Sequence, residues 1–125
     1  MTDYRDLDMS MEKNLYNDID IKEDVDAIEQ AVIDILFTRV GEREEMPSYG
    51  SILFETLMEK MSNITTIEIR ENITNALKNW EPRVRVLSVN VEPNQEEHTY
   101  YVSIKVNIIR INFETEFNIT LESIQ

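Results

Sequence analysis

The sequence predicts an α+β fold in which N-terminal helices pack on a C-terminal antiparallel β-meander. Two observations lead to this prediction. As far as Trp80, apolar residues recur with the three- and four-residue spacing of amphipathic helices, and after Pro82 they alternate with polar residues, as in half-buried strands. Because the strands follow one another without intervening helices, we expect an antiparallel sheet whose apolar face is covered by the helices.

The length and composition are those of one globular domain. The chain has 125 residues, of which 42% are hydrophobic and 30% are charged, so it can bury one core and is too apolar to be disordered. We expect a single domain over residues 15–125, preceded by a flexible N-terminal arm over residues 1–14, which lack a sustained hydrophobic period. Residues 15–21 alternate loosely, which predicts a short strand or an extended lead-in.

The first helix is expected to begin near Asp26 and to end before Gly41. Asp26 and Glu29 have the spacing of a capping box. The loop that follows, residues 41–50, contains both glycines of the chain, which predicts positive φ angles or close backbone approaches there. The apolar face of this helix is expected to consist of Ile28, Ala31, Val32, Ile35 and Leu36.

Two further helices are expected before the sheet. The second covers about residues 51–61, and its apolar residues occupy more than one face, which predicts that it is well buried. The third covers about residues 66–80, with Thr65 and Glu68 as a capping box at its start. Pro82 ends it, because the residue before a proline is disfavoured in the helical region.

Three strands are expected after Pro82. The first covers residues 83–91 and is followed by a polar turn that begins at residues 92–94. The second and third, residues 99–109 and 111–121, alternate cleanly and predict an antiparallel hairpin. The turn between them, within residues 109–112, contains neither glycine nor proline.

The charge of the chain argues against nucleic acid as a partner. The net charge is −13, and residues 1–30 alone carry ten acidic against three basic residues, so the surface repels phosphate backbones. Residues 63–91 are nearly neutral, which makes them better suited to a protein partner. No segment has the length and apolarity of a membrane helix, the first residues do not resemble a signal peptide, and cysteine is absent.

The side chains do not predict a catalytic, metal or cofactor site. The only histidine, His98, lies in a polar turn, and two glycines cannot form a phosphate-binding loop. Glycan hydrolysis by paired carboxylates is the alternative that stays open, with Glu81 as the one acid that lies outside a solvent face or a loop. We therefore expect no enzyme, with a small lysozyme-like glycan hydrolase as the alternative function.

The segment from Trp80 to Arg85 is the strongest candidate for partner binding. It joins the last helix to the sheet, and Pro82 restricts the backbone at the joint. Glu81, Arg83 and Arg85 could present a carboxylate and guanidinium groups to another chain. The alternative is a local ion pair that fixes the corner between helix and strand.

Gly41-Glu42-Arg43, Pro47-Ser48-Tyr49-Gly50 and Trp80-Glu81-Pro82-Arg83 occur in this order and spacing. Together they resemble the baseplate wedge proteins of contractile phage tails, a family that includes a baseplate subunit of type VI secretion systems. The resemblance covers about residues 15–121. The last hairpin departs from the family pattern, because its turn lacks the glycine or proline expected there.

The resemblance implies a structural, non-enzymatic role as a virion component and sheath initiator, in a baseplate that is assembled in the host cytoplasm. It implies two partners, the large baseplate wedge subunits and the tail sheath protein, with no cofactor. Glu81, Pro82 and Arg83 match the corner at which the family contacts the bundle of larger wedge subunits, and we add Arg85. Gly41, Arg43, Pro47 and Gly50 match the structural loop.

The predicted sheet offers a physical basis for sheath initiation. An antiparallel sheet that ends in a long strand has an open edge, to which the extended arm of a partner can add. We therefore expect the final strand to be the docking edge. Glu114 and Glu116 on its outer face would discourage indiscriminate stacking.

Overall fold

The α+β prediction is confirmed by the computed structural model, which describes residues 7–124 and their side chains from residue 21 onward. Three helices precede a three-stranded antiparallel sheet with the strand order β1-β2-β3. The elements are α1 (Leu7–Phe37), α2 (Leu53–Leu57), α3 (Asn63–Trp80), β1 (Val84–Asn94), β2 (Thr99–Ile108), a 3-10 turn (Ile109–Ile111) and β3 (Phe113–Glu122).

Helix α1 is longer than the sequence pattern predicts. The expected start near Asp26 is wrong, and so is the extended lead-in over residues 15–21, because this whole stretch is helical. The physical reason is that no glycine or proline precedes Gly41, so nothing in the chain stops the helix on its N-terminal side. The flexible arm over residues 1–14 stays a prediction, since residues 1–6 lie outside the described range and residues 7–14 form the first part of α1. The single domain over residues 15–125 also stays a prediction.

Helices α2 and α3 both differ from expectation at their ends. Helix α2 is a single short turn, and the prediction that this segment is well buried is wrong for Ile52 and Met58, which flank it and are about half exposed. Helix α3 begins three residues early, because Ser62 and not Thr65 is its N-cap. The Ser62 hydroxyl accepts a hydrogen bond from the Thr65 N–H at 3.2 Å, which satisfies one of the free donors of the first turn.

The sheet contains two tight turns that are made without glycine. Strand β1 continues through Pro93 to Asn94, so the predicted turn at residues 92–94 lies instead at residues 95–98. In the second hairpin the turn lies within residues 109–112, as expected. His98 and Asn112 adopt positive φ angles of 54° and 48°, and asparagine tolerates this region better than most residues.

The core lies between the helices and one face of the sheet. Every second residue of β2 from Tyr100 to Ile108 is buried, and Phe117 and Leu121 of β3 are buried on the same face. Ile35, Leu53, Ile69, Ile73 and Leu77 cover this face from the helical side. This layer fixes the end of α3 against the start of β1, which positions the corner described next.

Candidate functional site

The corner between α3 and β1 is held by a bidentate ion pair. The Nε and Nη2 atoms of Arg83 donate to the Oε1 and Oε2 atoms of Glu81, both at 2.7 Å. The Arg83 backbone N–H also donates to Glu81 Oε1 at 3.2 Å. Glu81 caps α3, with its own N–H bonded to the Leu77 carbonyl at 2.9 Å. Pro82 lies between the two paired residues in an exposed turn. The ion pair therefore spans this turn and holds it rigid.

The two partners of this pair have very different environments. Glu81 is only 3% exposed, whereas the Arg83 side chain is 51% exposed. Burial alone would raise the pKa of Glu81, but the hydrogen bonds and charge of Arg83 outweigh burial and lower it. The same contact raises the pKa of Arg83. The carboxylate is therefore ionised, and both of its oxygens accept hydrogen bonds from Arg83. The guanidinium keeps one edge exposed to solvent.

The exposed edge of Arg83 is the part of the corner that another chain could reach. Within residues 21–124, Nη1 of Arg83 takes part in none of the hydrogen bonds, since Nε and Nη2 make the contacts to Glu81. Arg85 is also exposed, but it lies two residues further along the chain, on the solvent face of the sheet opposite Asn107. A guanidinium that is held in one orientation loses little side-chain entropy when it binds a carboxylate or a carbonyl.

The loop over residues 41–50 is closed by backbone contacts that require its glycines. The Gly41 N–H donates to the Pro47 carbonyl at 2.8 Å. Gly41 and Gly50 have φ angles of 90° and 114°. At Gly50 a Cβ atom would lie 2.3 Å from the carbonyl oxygen of Thr38, so no larger residue fits without a backbone shift. Both glycines that the sequence analysis selected therefore have a structural role.

Arg43 and Tyr49 connect this loop to α1 and to the corner. The Nη2 atom of Arg43 lies 3.0 and 2.9 Å from the two carboxylate oxygens of Asp34, and its guanidinium stacks on the Tyr49 ring at 4.6 Å. The Tyr49 hydroxyl donates to Asp34 Oδ2. The Tyr49 ring also meets Trp80 edge to face, with centroids 5.3 Å apart. The three sequence motifs are thus brought to one place on the surface.

Asp34 and Trp80 are parts of this site that the candidate residues did not include. Asp34 is one of many acidic residues on a helix surface, and nothing in its local sequence distinguishes it from the others. Trp80 lies next to the selected corner, but its apolar character assigned it to the core.

The contact between Tyr49 and Asp34 has a measurable consequence at alkaline pH. Burial, and then the hydrogen bond and charge of Asp34, raise the pKa of Tyr49 from its ordinary value of 10.0 to about 12. The neutral phenol is favoured in the folded state, so its contribution to stability is full below pH 10.0 and is lost as the pH rises through about 12. The ultraviolet absorbance of tyrosine reports this ionisation. We expect the difference between the titration curves of wild type and Tyr49→Phe to have its midpoint near pH 12. A midpoint near 10.0 that Asp34→Asn leaves unchanged would contradict the contact.

Glu81, the acid that the sequence left open for glycan hydrolysis, is not available as a general acid. Glu81 is bound by Arg83, and its lowered pKa is the opposite of what a general acid requires. The side chain of Glu59 raises the pKa of Glu68, so Glu68 is the acid whose removal tests for hydrolysis.

Two surface depressions lined by described residues each contain a single acid. One, of about 430 Å³, lies on the outer face of the sheet and contains Glu92 as its single acid. Another, of about 370 Å³, lies between α3 and β1 and contains Glu71 as its single acid. Among the described residues there is no group of three or more His, Asp or Glu that could hold a metal, and no helix is long and apolar enough to cross a membrane.

Sequence comparisons identify phage relatives over most of the chain. Residues 22–112 match the model of the family described as baseplate wedge protein gp25. The chain is 32% identical over 106 residues to baseplate wedge protein gp25 of Enterobacteria phage T4, which covers 85% of this chain and 80% of that protein. It is 35% identical over 66 residues to baseplate protein W of Escherichia phage P2, which covers 53% of this chain and 57% of that protein.

Structural comparisons find the same fold in proteins of lower sequence identity. A Geobacter sulfurreducens protein described as a tail lysozyme has a TM-score of 0.74 at 24% identity, over 80% of this chain and 91% of that chain. A chain of the baseplate complex from the type VI secretion system has a TM-score of 0.63 at 17% identity, over 81% of this chain and 96% of that chain. At these identities the likeness shows the fold alone.

Proposed function

Because this chain belongs to the baseplate wedge protein gp25 family, we propose that it is a structural, non-enzymatic wedge component of a contractile injection machine. As a member of this family it is a component of the virion baseplate. In this proposal the corner of Glu81, Pro82, Arg83 and Arg85 docks on the core bundle of the large wedge subunits. The sheet edge then templates assembly of the tail sheath protein by strand addition.

The observation that carries the docking proposal is the asymmetry of the ion pair at the corner. Glu81 is buried and uses both oxygens within the chain, while the Arg83 side chain is half exposed with Nη1 unused in the described range. A buried carboxylate thus orients an exposed cation, and Tyr49 and Trp80 support the same corner. This arrangement suits an acceptor on a partner protein, such as a carboxylate or the carbonyl end of a helix.

The geometry of the sheet favours β3 as the edge that receives the sheath protein. Within residues 7–124, strands β1 and β3 each pair on one side only. Strand β1 has a register shift between Val86 and Ser88 and contains Pro93, features that disfavour the addition of a further strand. Strand β3 pairs with β2 in unbroken register over ten residue pairs and contains no proline. Its free edge is therefore the more regular template.

A non-enzymatic role is proposed although one structural relative is described as a tail lysozyme. The relatives found by sequence are named as baseplate proteins. In this chain both carboxylate oxygens of Glu81 accept hydrogen bonds from Arg83, so Glu81 is not available as a general acid. Turnover of peptidoglycan by the purified chain, lost in Glu68→Gln, would contradict this part of the proposal.

Capture of the wedge subunits tests the docking proposal. We expect tagged wild type, expressed in a cell that produces the complete machine, to recover the large wedge subunits. The double variant Glu81→Gln/Arg83→Gln retains a neutral hydrogen-bonding pair, so it is expected to fold and to lose these subunits. Arg70→Ala removes an exposed arginine of α3 that is in none of the ion pairs of the described range, and it should recover them. Equal recovery by all three proteins would remove the corner from the interface.

A further inference from the structure

The two faces of β3 differ sharply in chemistry. On the core side lie Phe117, Ile119 and Leu121, of which Phe117 and Leu121 are buried. On the opposite, solvent-facing side lie three exposed carboxylates, with uncharged residues between the second and the third. These carboxylates belong to Glu114, Glu116 and Glu122.

These three carboxylates form no ion pair with another residue of the described part of the chain. The ion pairs among residues 21–124 join Arg39 to Glu55, Arg43 to Asp34, Arg83 to Glu81 and Arg110 to Asp24. None of them includes a carboxylate of β3. The only hydrogen bond to this row is the Ser103 hydroxyl, which donates to Glu116 Oε2 at 2.5 Å. The row therefore lies along the edge strand of the sheet without an ion pair in the described part of the chain, and only Glu116 has a cation, Lys105, opposite it.

Strand β2 pairs with one edge of β3, and its side chains show which residues complement those of β3. It places Lys105 opposite Glu116, and it places Ile104 and Val102 opposite Phe117 and Ile119. At Glu114 and Glu122 it offers only Asn107 and Thr99. Unlike charges directly opposite each other stabilise a strand pair, and like charges destabilise it. A second strand, added to the unpaired edge of β3, would lie beside Glu114 and Glu122, the two carboxylates that have no opposite charge on β2.

We propose that the strand that adds to the edge of β3 carries lysine or arginine on its solvent side and apolar residues on its core side. This inference rests on the strand addition proposed above and specifies the chemistry of the partner. Basic residues would lie opposite Glu114, Glu116 and Glu122, and the apolar residues would extend the face formed by Phe117 and Ile119. A strand with acidic residues on the solvent side would be rejected by repulsion.

Three synthetic peptides test the proposal on the full chain. Each has ten residues, the length of β3, with valine at alternate positions and lysine, threonine or glutamate at the others. The readouts are the affinity of each peptide and its protection of the β3 backbone amides from hydrogen exchange. We expect the lysine peptide to protect β3 and to bind about tenfold more tightly than the threonine peptide, because its lysines face the three carboxylates of β3, two of which have no opposite charge on β2. The glutamate peptide should not protect β3.

Two matched triple variants separate edge recognition from general attraction to an acidic protein. Glu114→Gln/Glu116→Gln/Glu122→Gln should reduce binding of the lysine peptide about tenfold, to that of the threonine peptide. Glu44→Gln/Glu45→Gln/Glu92→Gln makes the same change in net charge at exposed positions outside β3, and it should leave the affinity unchanged.

Each remaining outcome has a distinct meaning. Equal protection of β3 by the lysine and threonine peptides, unaffected by the β3 variant, would overturn the charge selection and leave strand addition intact. Binding without protection of β3, weakened equally by both triple variants, would show only general charge attraction and overturn the inference. If no peptide protected β3, the strand addition itself would be contradicted.

Discussion

Gly50→Ala is expected to lower the free energy of unfolding by about 3 kcal/mol, one of the largest effects of a single methyl group in this chain. Gly50 has a φ angle of 114°, a conformation that alanine rarely adopts. Its Cβ would also lie 2.3 Å from the Thr38 carbonyl oxygen, and that oxygen accepts a hydrogen bond from the Ser51 N–H at 2.9 Å. The clash falls on backbone, so no side-chain rotation can relieve it.

Gly41→Ala is the matched control for this prediction. Gly41 has a similar positive φ angle of 90°, but a Cβ at this position would meet nothing within 4 Å. Gly41→Ala should therefore lower the free energy of unfolding by only about 1 kcal/mol, the cost of placing alanine at a positive φ angle. Chemical denaturation of both variants measures the difference. Equal losses at the two positions would mean that the contact between residues 38 and 50 does not constrain the loop.

Arg83→Ala is expected to lower the free energy of unfolding by about 2 kcal/mol, even though Arg83 is half exposed. The loss arises because Glu81, which is 3% exposed, would keep a buried charge without its bidentate partner. Because Arg83 is half exposed, the expected loss of unfolding free energy is smaller than for a fully buried ion pair. Arg85→Ala, on the neighbouring exposed arginine, should change stability by less than about 0.5 kcal/mol. An effect of Arg83→Ala as small as that of Arg85→Ala would contradict the structural role of the pair.

The same pair predicts the direction of a pH dependence. Since Arg83 lowers the pKa of Glu81 below its ordinary value of 4.5, the stability from the pair is complete above that pH. It is lost as the pH falls through the lowered pKa of the folded state. Denaturation of wild type and of Glu81→Gln/Arg83→Gln should therefore show a difference in stability that shrinks below pH 4.5. A difference that grew on acidification would have the wrong sign for this account.

The structure confirms one of the two interpretations of the corner that the sequence left open, the local ion pair, and partner binding stays a proposal. The ion pair is local and fixes the end of α3, as the purely structural interpretation required. It also leaves a guanidinium edge outside, which partner binding requires. A variant that removes Arg83 alone therefore mixes lost stability with lost contact, whereas the paired glutamine variant separates them.

Much of the fold was predictable because its elements are strongly periodic. The alternation of Tyr100, Val102, Ile104, Val106 and Ile108 specified the central strand, and all five side chains are buried. The glycines were predictable for a related reason, since a chain with only two of them places both where the backbone needs them. In both cases the signal is local, so neighbouring residues were sufficient to identify it.

The features that sequence analysis missed depend on contacts between distant segments. Asp34 gains its role from Arg43 and Tyr49, which lie nine and fifteen residues away along the chain. The start of α1 was misplaced because a cap-like pair at Asp26 does not interrupt a helix that already extends through it. Asn112 takes the left-handed position of the last turn, which explains how that hairpin forms without glycine.

The central claim is that the corner holds the chain in the baseplate, and imaging of assembled particles tests it most directly. Particles would be purified from producing cells that carry wild type, Glu81→Gln/Arg83→Gln or Arg70→Ala as the sole copy, and examined by electron microscopy. We expect wild type and Arg70→Ala to yield complete baseplates that contain this chain, with a partner acceptor at Nη1 of Arg83. The double variant, shown to be folded by circular dichroism, should yield particles that lack the chain and its sheath. Complete sheathed particles from the double variant, or an Arg83 that faces only solvent in the wild-type baseplate, would contradict the claim.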